Sequence, residues 1–121
     1  YQLLSINKIS AATIGTLGVK YNGKIIKTKL TSPDTLSLHK YLYFLKKKKI
    51  NNVIIEASSH GLKQKRLHNI NFKAAIFTNF SQDHLDYHKT MNSYLRSKLH
   101  LFKNILSKKK NCNIRQFNKR I

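Results

Sequence analysis

Acid is scarce in this chain. Four carboxylates, Asp34, Glu56, Asp83 and Asp86, stand against 24 Lys and Arg in 121 residues. Cysteine is scarcer still: the single Cys112 excludes an internal disulfide and a cysteine-based zinc site, and it fits a reducing, cytoplasmic setting. No apolar run approaches the length of about 18 residues that a membrane span requires, so no membrane partner is expected. Tyr1-Gln2-Leu3-Leu4 offers neither an initiator Met nor the layout of a signal peptide, and the chain reads as a piece of something longer. Three of the four acids fall in two short, histidine-bearing motifs. Acid retained this selectively points to a task, and oxygen ligation of a hard cation is the direct one.

What is present supports a globular domain. Apolar residues make up 40% of the chain, enough for one domain with a core. The net charge of +20 has two readings: a footprint for nucleic acid or anionic lipid, or a compositional drift toward lysine spread along the whole chain. Base readers favour arginine for its bidentate fork, and only four arginines occur, so nucleic acid is not an expected partner.

Periodicity predicts alternating strands and helices. Residues 1–7 read as the last turns of a helix, and Ala11–Val19 as a β-branched strand running into a glycine turn. A short strand follows near Lys24–Lys29. Pro33 breaks the chain, and Asp34 or Thr35 caps a helix with a Leu38, Tyr41, Leu42, Leu45 stripe. The lysines at 46–49 end it favourably for its dipole. Asn52–Ala57 and Ala74–Thr78 are continuous apolar runs, as expected of strands buried on both faces. Thr90 caps a last helix over Met91–Leu106, and the tail from Ser107 is basic and unassigned. Alternation of this kind predicts an α/β domain over residues 1–106 with a mostly parallel sheet flanked by helices.

Both acidic motifs start at the C-terminal end of a predicted strand, the edge where open α/β sheets bind ligands. Glu56 opens Glu56-Ala57-Ser58-Ser59-His60-Gly61 and suits a Mg²⁺ ligand; the plainer reading is a strand-end salt bridge to a lysine. Ser58 and Ser59 are either helix caps or anion contacts. Arg66, the only arginine in the first 95 residues, sits two from Gln64, and planar recognition of a carboxylate or phosphate explains its retention. In Asp83-His84-Leu85-Asp86-Tyr87-His88 the two histidines stand one helical turn apart, as in zinc hydrolases, but Leu85 occupies the place of the required glutamate. His84 alone as a ligand, or Asp83 and Asp86 as caps, fits better. Lys98 falls inside the apolar stripe Met91, Leu95, Phe102, Ile105. It either snorkels or is partly buried as a reactive amine.

Taken together these residues resemble the central domain of the Mur ligases, in particular the MurE branch, the UDP-N-acetylmuramoyl-tripeptide synthetases. The resemblance rests on Ile14-Gly15-Thr16-Leu17-Gly18, Thr31-Ser32-Pro33-Asp34, the Glu56–Leu62 motif with Gln64 and Arg66, and Thr78–His88. It continues through Met91, Tyr94, Lys98 and Leu101-Phe102. It implies an ATP-dependent amide ligase of peptidoglycan synthesis, acting on UDP-MurNAc-L-Ala-D-Glu with ATP, Mg²⁺ and a diamino acid, lysine or meso-diaminopimelate. It also implies that Thr31, Ser32, Ser58, Gln64 and Arg66 touch the UDP-sugar peptide. Glu56 and His84 would help hold Mg²⁺, and Lys98 would be the lysine that reacts with CO₂ to become a carbamate ligand and catalytic residue.

Departures accompany the match. The family's glycine-rich phosphate loop with its Gly-Lys-Thr core occurs nowhere in these residues, and neither do its uridine-binding and C-terminal domains. Residues 108–121 lack the strand and acidic turn that the family places after Phe102. The expectation is a central domain truncated at both ends, lacking the phosphate-loop strand and inactive as an isolated chain. Two other readings stay open: another ligase of the superfamily, such as a folylpolyglutamate synthetase, or a non-enzymatic basic nucleic-acid-binding module.

Overall fold

A computed structural model describes residues 1–106, which divide into two compact units on either side of Leu67 and His68. The basic tail and Cys112 lie outside the described residues. The first unit runs helix α1 (Gln2–Ile6), strands β1 (Ala11–Gly15), β2 (Gly18–Tyr21) and β3 (Lys24–Ile26), helix α2 (Thr35–Lys47), strand β4 (Asn52–Ile55) and helix α3 (Ser59–Lys63). The second holds α4 (Leu85–His88) and α5 (Met91–His100), which runs on into a π-helical turn at Leu101–Ile105.

The sheet has the order β3-β2-β1-β4. The α/β class stands, but the expected mostly parallel sheet does not. Among the described residues only β1 and β4 pair in parallel, through the α2 crossover, while β1–β2 and β2–β3 are antiparallel. Loop length is the cause. Two residues separate Gly15 from Gly18, and two separate Tyr21 from Lys24, and so short a loop joins antiparallel strands only. The second loop is Asn22-Gly23, both at positive φ (44° and 75°), the primed turn that matches strand twist.

Register places Ala12, Ile14, Val19, Tyr21, Val53 and Ile55 on one face. That face packs on α2. Leu38 and Leu45 are fully buried, Tyr41 and Leu42 half-buried, and Phe44 meets Tyr21 edge-on at 5.4 Å. Each buried leucine contributes about 1.5–3 kcal/mol. Asp34 caps α2 by accepting from the Ser37 amide at 2.9 Å. The opposite face carries Thr13, Lys20 and Ile54, and Ile54 remains 42% exposed. β4 is therefore not buried on both faces, contrary to its continuous apolar sequence.

In the second unit, Ala74–Thr78 forms no strand, and Ile76 is 67% exposed. An apolar run becomes a strand only where a neighbouring edge takes its backbone groups, and none does so here among the described residues. Thr90 caps α5 through the Ser93 amide at 3.1 Å. The buried line on α5 and its extension is Tyr94, Ser97 and Leu101, one position away from Leu95, Lys98 and Phe102; the members of the expected Met91, Leu95, Phe102, Ile105 stripe, and Lys98 inside it, are half-buried. No helix of the described residues is long and apolar enough to cross a membrane.

Candidate functional site

In the first unit β1 and β4 end side by side. The Glu56 amide donates to the Ile14 carbonyl at 2.9 Å, carrying the parallel ladder one residue past β4. The Glu56 carboxylate then lies over Gly15. Its Oε2 accepts the Thr16 amide at 2.8 Å and the Thr16 hydroxyl at 3.0 Å. Thr16 Oγ1 is also 3.2 Å from Thr31 Oγ1. Gly15 admits this arrangement, because a Cβ there would sit 2.5 Å from Oε2. Oε1 accepts no hydrogen bond, and no lysine forms an ion pair with Glu56, among the described residues. The salt-bridge reading of Glu56 is thus not what the fold builds.

A second network adjoins it. Ser32 is fully buried, and its hydroxyl donates to the Glu56 carbonyl at 2.8 Å, accepts from the Ser58 amide at 3.0 Å and lies 3.0 Å from Ser58 Oγ. Ser58 Oγ caps α3 by accepting from the Gly61 amide at 3.1 Å. Arg66 donates Nη1 to the Ser32 carbonyl at 2.9 Å and Nη2 to Gln64 Oε1. Thr31, Ser32, Glu56, Ser58, Gln64 and Arg66 therefore meet in one place, at the C-terminal ends of the two parallel strands. Ser32 braces that place from within, while Glu56 and Gln64 are exposed and Thr31, Ser58 and Arg66 half-buried.

His84 and Lys98 belong to the second unit. His84 takes left-handed backbone (φ 56°), a region histidine tolerates better than most residues. Asp83 fixes it there, accepting from the His84 amide at 2.7 Å and lying 3.4 Å from Nε2. Tyr94 gathers the neighbouring side chains. His84 meets its ring edge-on at 6.0 Å, His88 stacks on it at 5.2 Å, and Phe80 packs at 5.2 Å. Lys98 Nζ lies 5.2 Å from the Tyr94 ring centre, 5.6 Å from that of Phe77 and 3.4 Å from the Asn79 carbonyl. The half-buried lysine ends on aromatic faces rather than in bulk water. His88, one turn from His84, is buried with Nδ1 3.5 Å from Ser97 Oγ, and no three His, Cys, Asp or Glu side chains of the described residues gather into a metal-holding group.

The donor set at Glu56 fits a hard cation: one carboxylate oxygen without a hydrogen bond, beside two threonine hydroxyls. Mg²⁺ retains several waters and takes one or two carboxylates plus substrate phosphates, so a single protein carboxylate suits it.

The sequence profile of the Mur ligase middle domain matches residues 1–118. The chain belongs to the Mur ligase middle-domain family. Among its relatives is the UDP-N-acetylmuramoyl-L-alanyl-D-glutamate–2,6-diaminopimelate ligase of Wigglesworthia glossinidia brevipalpis, 53% identical over 74% of this chain and 18% of that protein. Proteins of the same name from Leptospira interrogans and Rhizobium meliloti are 44% and 45% identical, over 84% and 88% of this chain and 20% and 22% of theirs. A solved structure of a ligase of that name superposes with a TM-score of 0.76 at 36% identity, over 88% of this chain and 21% of its own. The chain thus spans about a fifth of the length of the relatives it matches. Within this Mur ligase middle domain, sequence reasoning quoted Thr16 and Tyr94 but gave neither a task. The signal for Thr16 was its place at the end of β1, beside the end of β4, which pairs with β1 in parallel.

Proposed function

We propose that this chain is the middle-domain part of an ATP-dependent ligase that joins 2,6-diaminopimelate to UDP-MurNAc-L-Ala-D-Glu in the cytoplasm. The observation that carries it is 44–53% identity to proteins named for that reaction. The choice between lysine and diaminopimelate, open in the sequence, rests on those names. Folylpolyglutamate synthesis and nucleic-acid binding gain no comparable support.

In this reading Thr31, Ser58, Gln64 and Arg66 bind the UDP-sugar peptide, and Ser32 braces the place where they meet. In the first unit Glu56 Oε1 is a ligand offered to Mg²⁺; in the second unit His84 is a candidate cation ligand by itself. Bound Mg²⁺ supplies charge neutralisation for phosphoryl transfer from ATP to the substrate carboxylate. The Lys98 amine, once deprotonated, adds to CO₂ and loses a proton, so that a cation becomes an anionic oxygen ligand. No Gly-Lys-Thr loop occurs in the 121 residues, and the polypeptide alone is expected to form no tripeptide.

Titrating the ¹⁵N-labelled chain separately with UDP-MurNAc-L-Ala-D-Glu, a folate and single-stranded DNA tests the reading. Shifts at Thr31, Ser58, Gln64 and Arg66 with the first ligand alone support it. Tight, salt-sensitive DNA binding that survives E56Q would replace it with the basic-module reading.

A further inference from the structure

We propose that Thr16 is a positioning residue for Glu56, its side chain fixing the carboxylate so that Oε1 is left as the ligand oxygen and tying that carboxylate to Thr31. The inference rests on the reading of Glu56 as a cation ligand. Three observations carry it. Glu56 Oε2 receives two hydrogen bonds from Thr16, one from the amide at 2.8 Å and one from the hydroxyl at 3.0 Å, while Oε1 receives none from the described residues. Gly15 makes room for Oε2 in this position, since a Cβ there would approach it to 2.5 Å. The Thr16 hydroxyl is also 3.2 Å from Thr31, on the loop that holds Ser32 and the network to Ser58 and Arg66. One hydroxyl thus joins the cation side of the site to its substrate side.

A single carboxylate ligand must be held in one orientation to bind well. Glu56 is exposed, so its side chain loses rotamer freedom whenever it holds a cation. Thr16 imposes that order beforehand. Outer hydrogen-bond partners of this kind, when removed, cost roughly 10- to 100-fold in metal affinity. The Thr16 amide remains in any substitution, so the lower end of that range is expected. Thr16 is itself exposed, and Thr16→Val preserves its shape, so the change leaves the core alone.

The scarcity of acid makes the test clean, because only Asp34, Glu56, Asp83 and Asp86 offer side-chain carboxylates to a cation. Mn²⁺ is titrated into the ¹⁵N-labelled chain, and paramagnetic broadening is read at Gly15, Thr16, Thr31 and Glu56. The expected result is local broadening in wild type and Thr16→Ser, roughly tenfold more Mn²⁺ needed in Thr16→Val, and no broadening at this site in Glu56→Gln. In the metal-free chain the Glu56 β-proton couplings report one rotamer in wild type and Thr16→Ser and an average in Thr16→Val. Equal Mn²⁺ response in wild type and Thr16→Val, with Glu56→Gln silent, overturns the role of Thr16 and leaves Glu56 standing. Broadening absent in wild type, or unchanged in Glu56→Gln, overturns the cation reading of Glu56, and the role of Thr16 with it.

Discussion

Gly61→Ala isolates the brace beneath the candidate site. A Cβ at 61 would lie 2.6 Å from Ser32 Cβ, 2.9 Å from Ser32 Oγ and 3.1 Å from Ser58 Oγ. Two effects oppose each other. Alanine in a helix is favoured over glycine by about 1 kcal/mol. Overpacking costs about 1–3 kcal/mol, and displacing Ser32 weakens its bonds to the Glu56 carbonyl and the Ser58 amide, each worth about 1 kcal/mol. The clash wins, for a net loss of about 1–3 kcal/mol. Urea unfolding followed on the β1 and β4 amides reads the first unit by itself. With m near 1 kcal/mol/M, the midpoint falls by roughly 1 M or more with m unchanged. The cause is tested by a second substitution. Ser32→Gly removes the two atoms nearer than 3.0 Å and leaves only the 3.1 Å approach to Ser58 Oγ, so Gly61→Ala on that background becomes near neutral, and the cycle shows a coupling of about 1–3 kcal/mol. A Gly61→Ala chain as stable as wild type, or one equally destabilised in both backgrounds, refutes the packing argument.

Asp34 gives a pH prediction. The Ser37 amide donates to its carboxylate and holds its pKa below the ordinary value of 3.8, so the cap's contribution is present above that value and lost as pH falls through the lowered one. Asp34→Asn keeps an acceptor at the cap, and the α2 amides should lose their acid-limb change while keeping their neutral-pH shifts. Lys98 is tested with ¹³C-bicarbonate: a carbamate carbon signal is expected in wild type and absent in Lys98→Arg, and a signal that survives the substitution assigns the carbamate to another amine.

Some of this was legible in the residues and some was not. Helix α2 was, because Pro33, Asp34 and the Leu38, Tyr41, Leu42, Leu45 spacing agree on one answer. The sheet was half-legible. Val53 and Ile55 read as buried and partly are, but sequence does not state which faces are covered, and Ile54 stays 42% exposed. The hairpins were written in two loops of two residues, Thr16-Leu17 and Asn22-Gly23, which the alternation argument passed over. Ala74–Thr78 failed for a related reason, since an apolar run does not specify a pairing edge. In the site, Glu56, Ser58, Gln64 and Arg66 stood out by charge and position. Ser32 was expected at the substrate, and the fold buries it as the brace. Tyr94 was hidden because an aromatic on a helix reads as core, and only the fold shows Phe80, His84, His88 and Lys98 on one ring.

Exchange decides whether this chain does the work of a middle domain in a diaminopimelate-adding ligase. The 89 residues that match the Wigglesworthia ligase at 53% identity replace their counterparts there, and tripeptide formation is measured with ATP, Mg²⁺, UDP-MurNAc-L-Ala-D-Glu and 2,6-diaminopimelate. A working hybrid is expected, with its activity lost in Glu56→Gln. A folded hybrid that binds the UDP-sugar peptide yet forms no tripeptide, or one indifferent to Glu56→Gln, contradicts it.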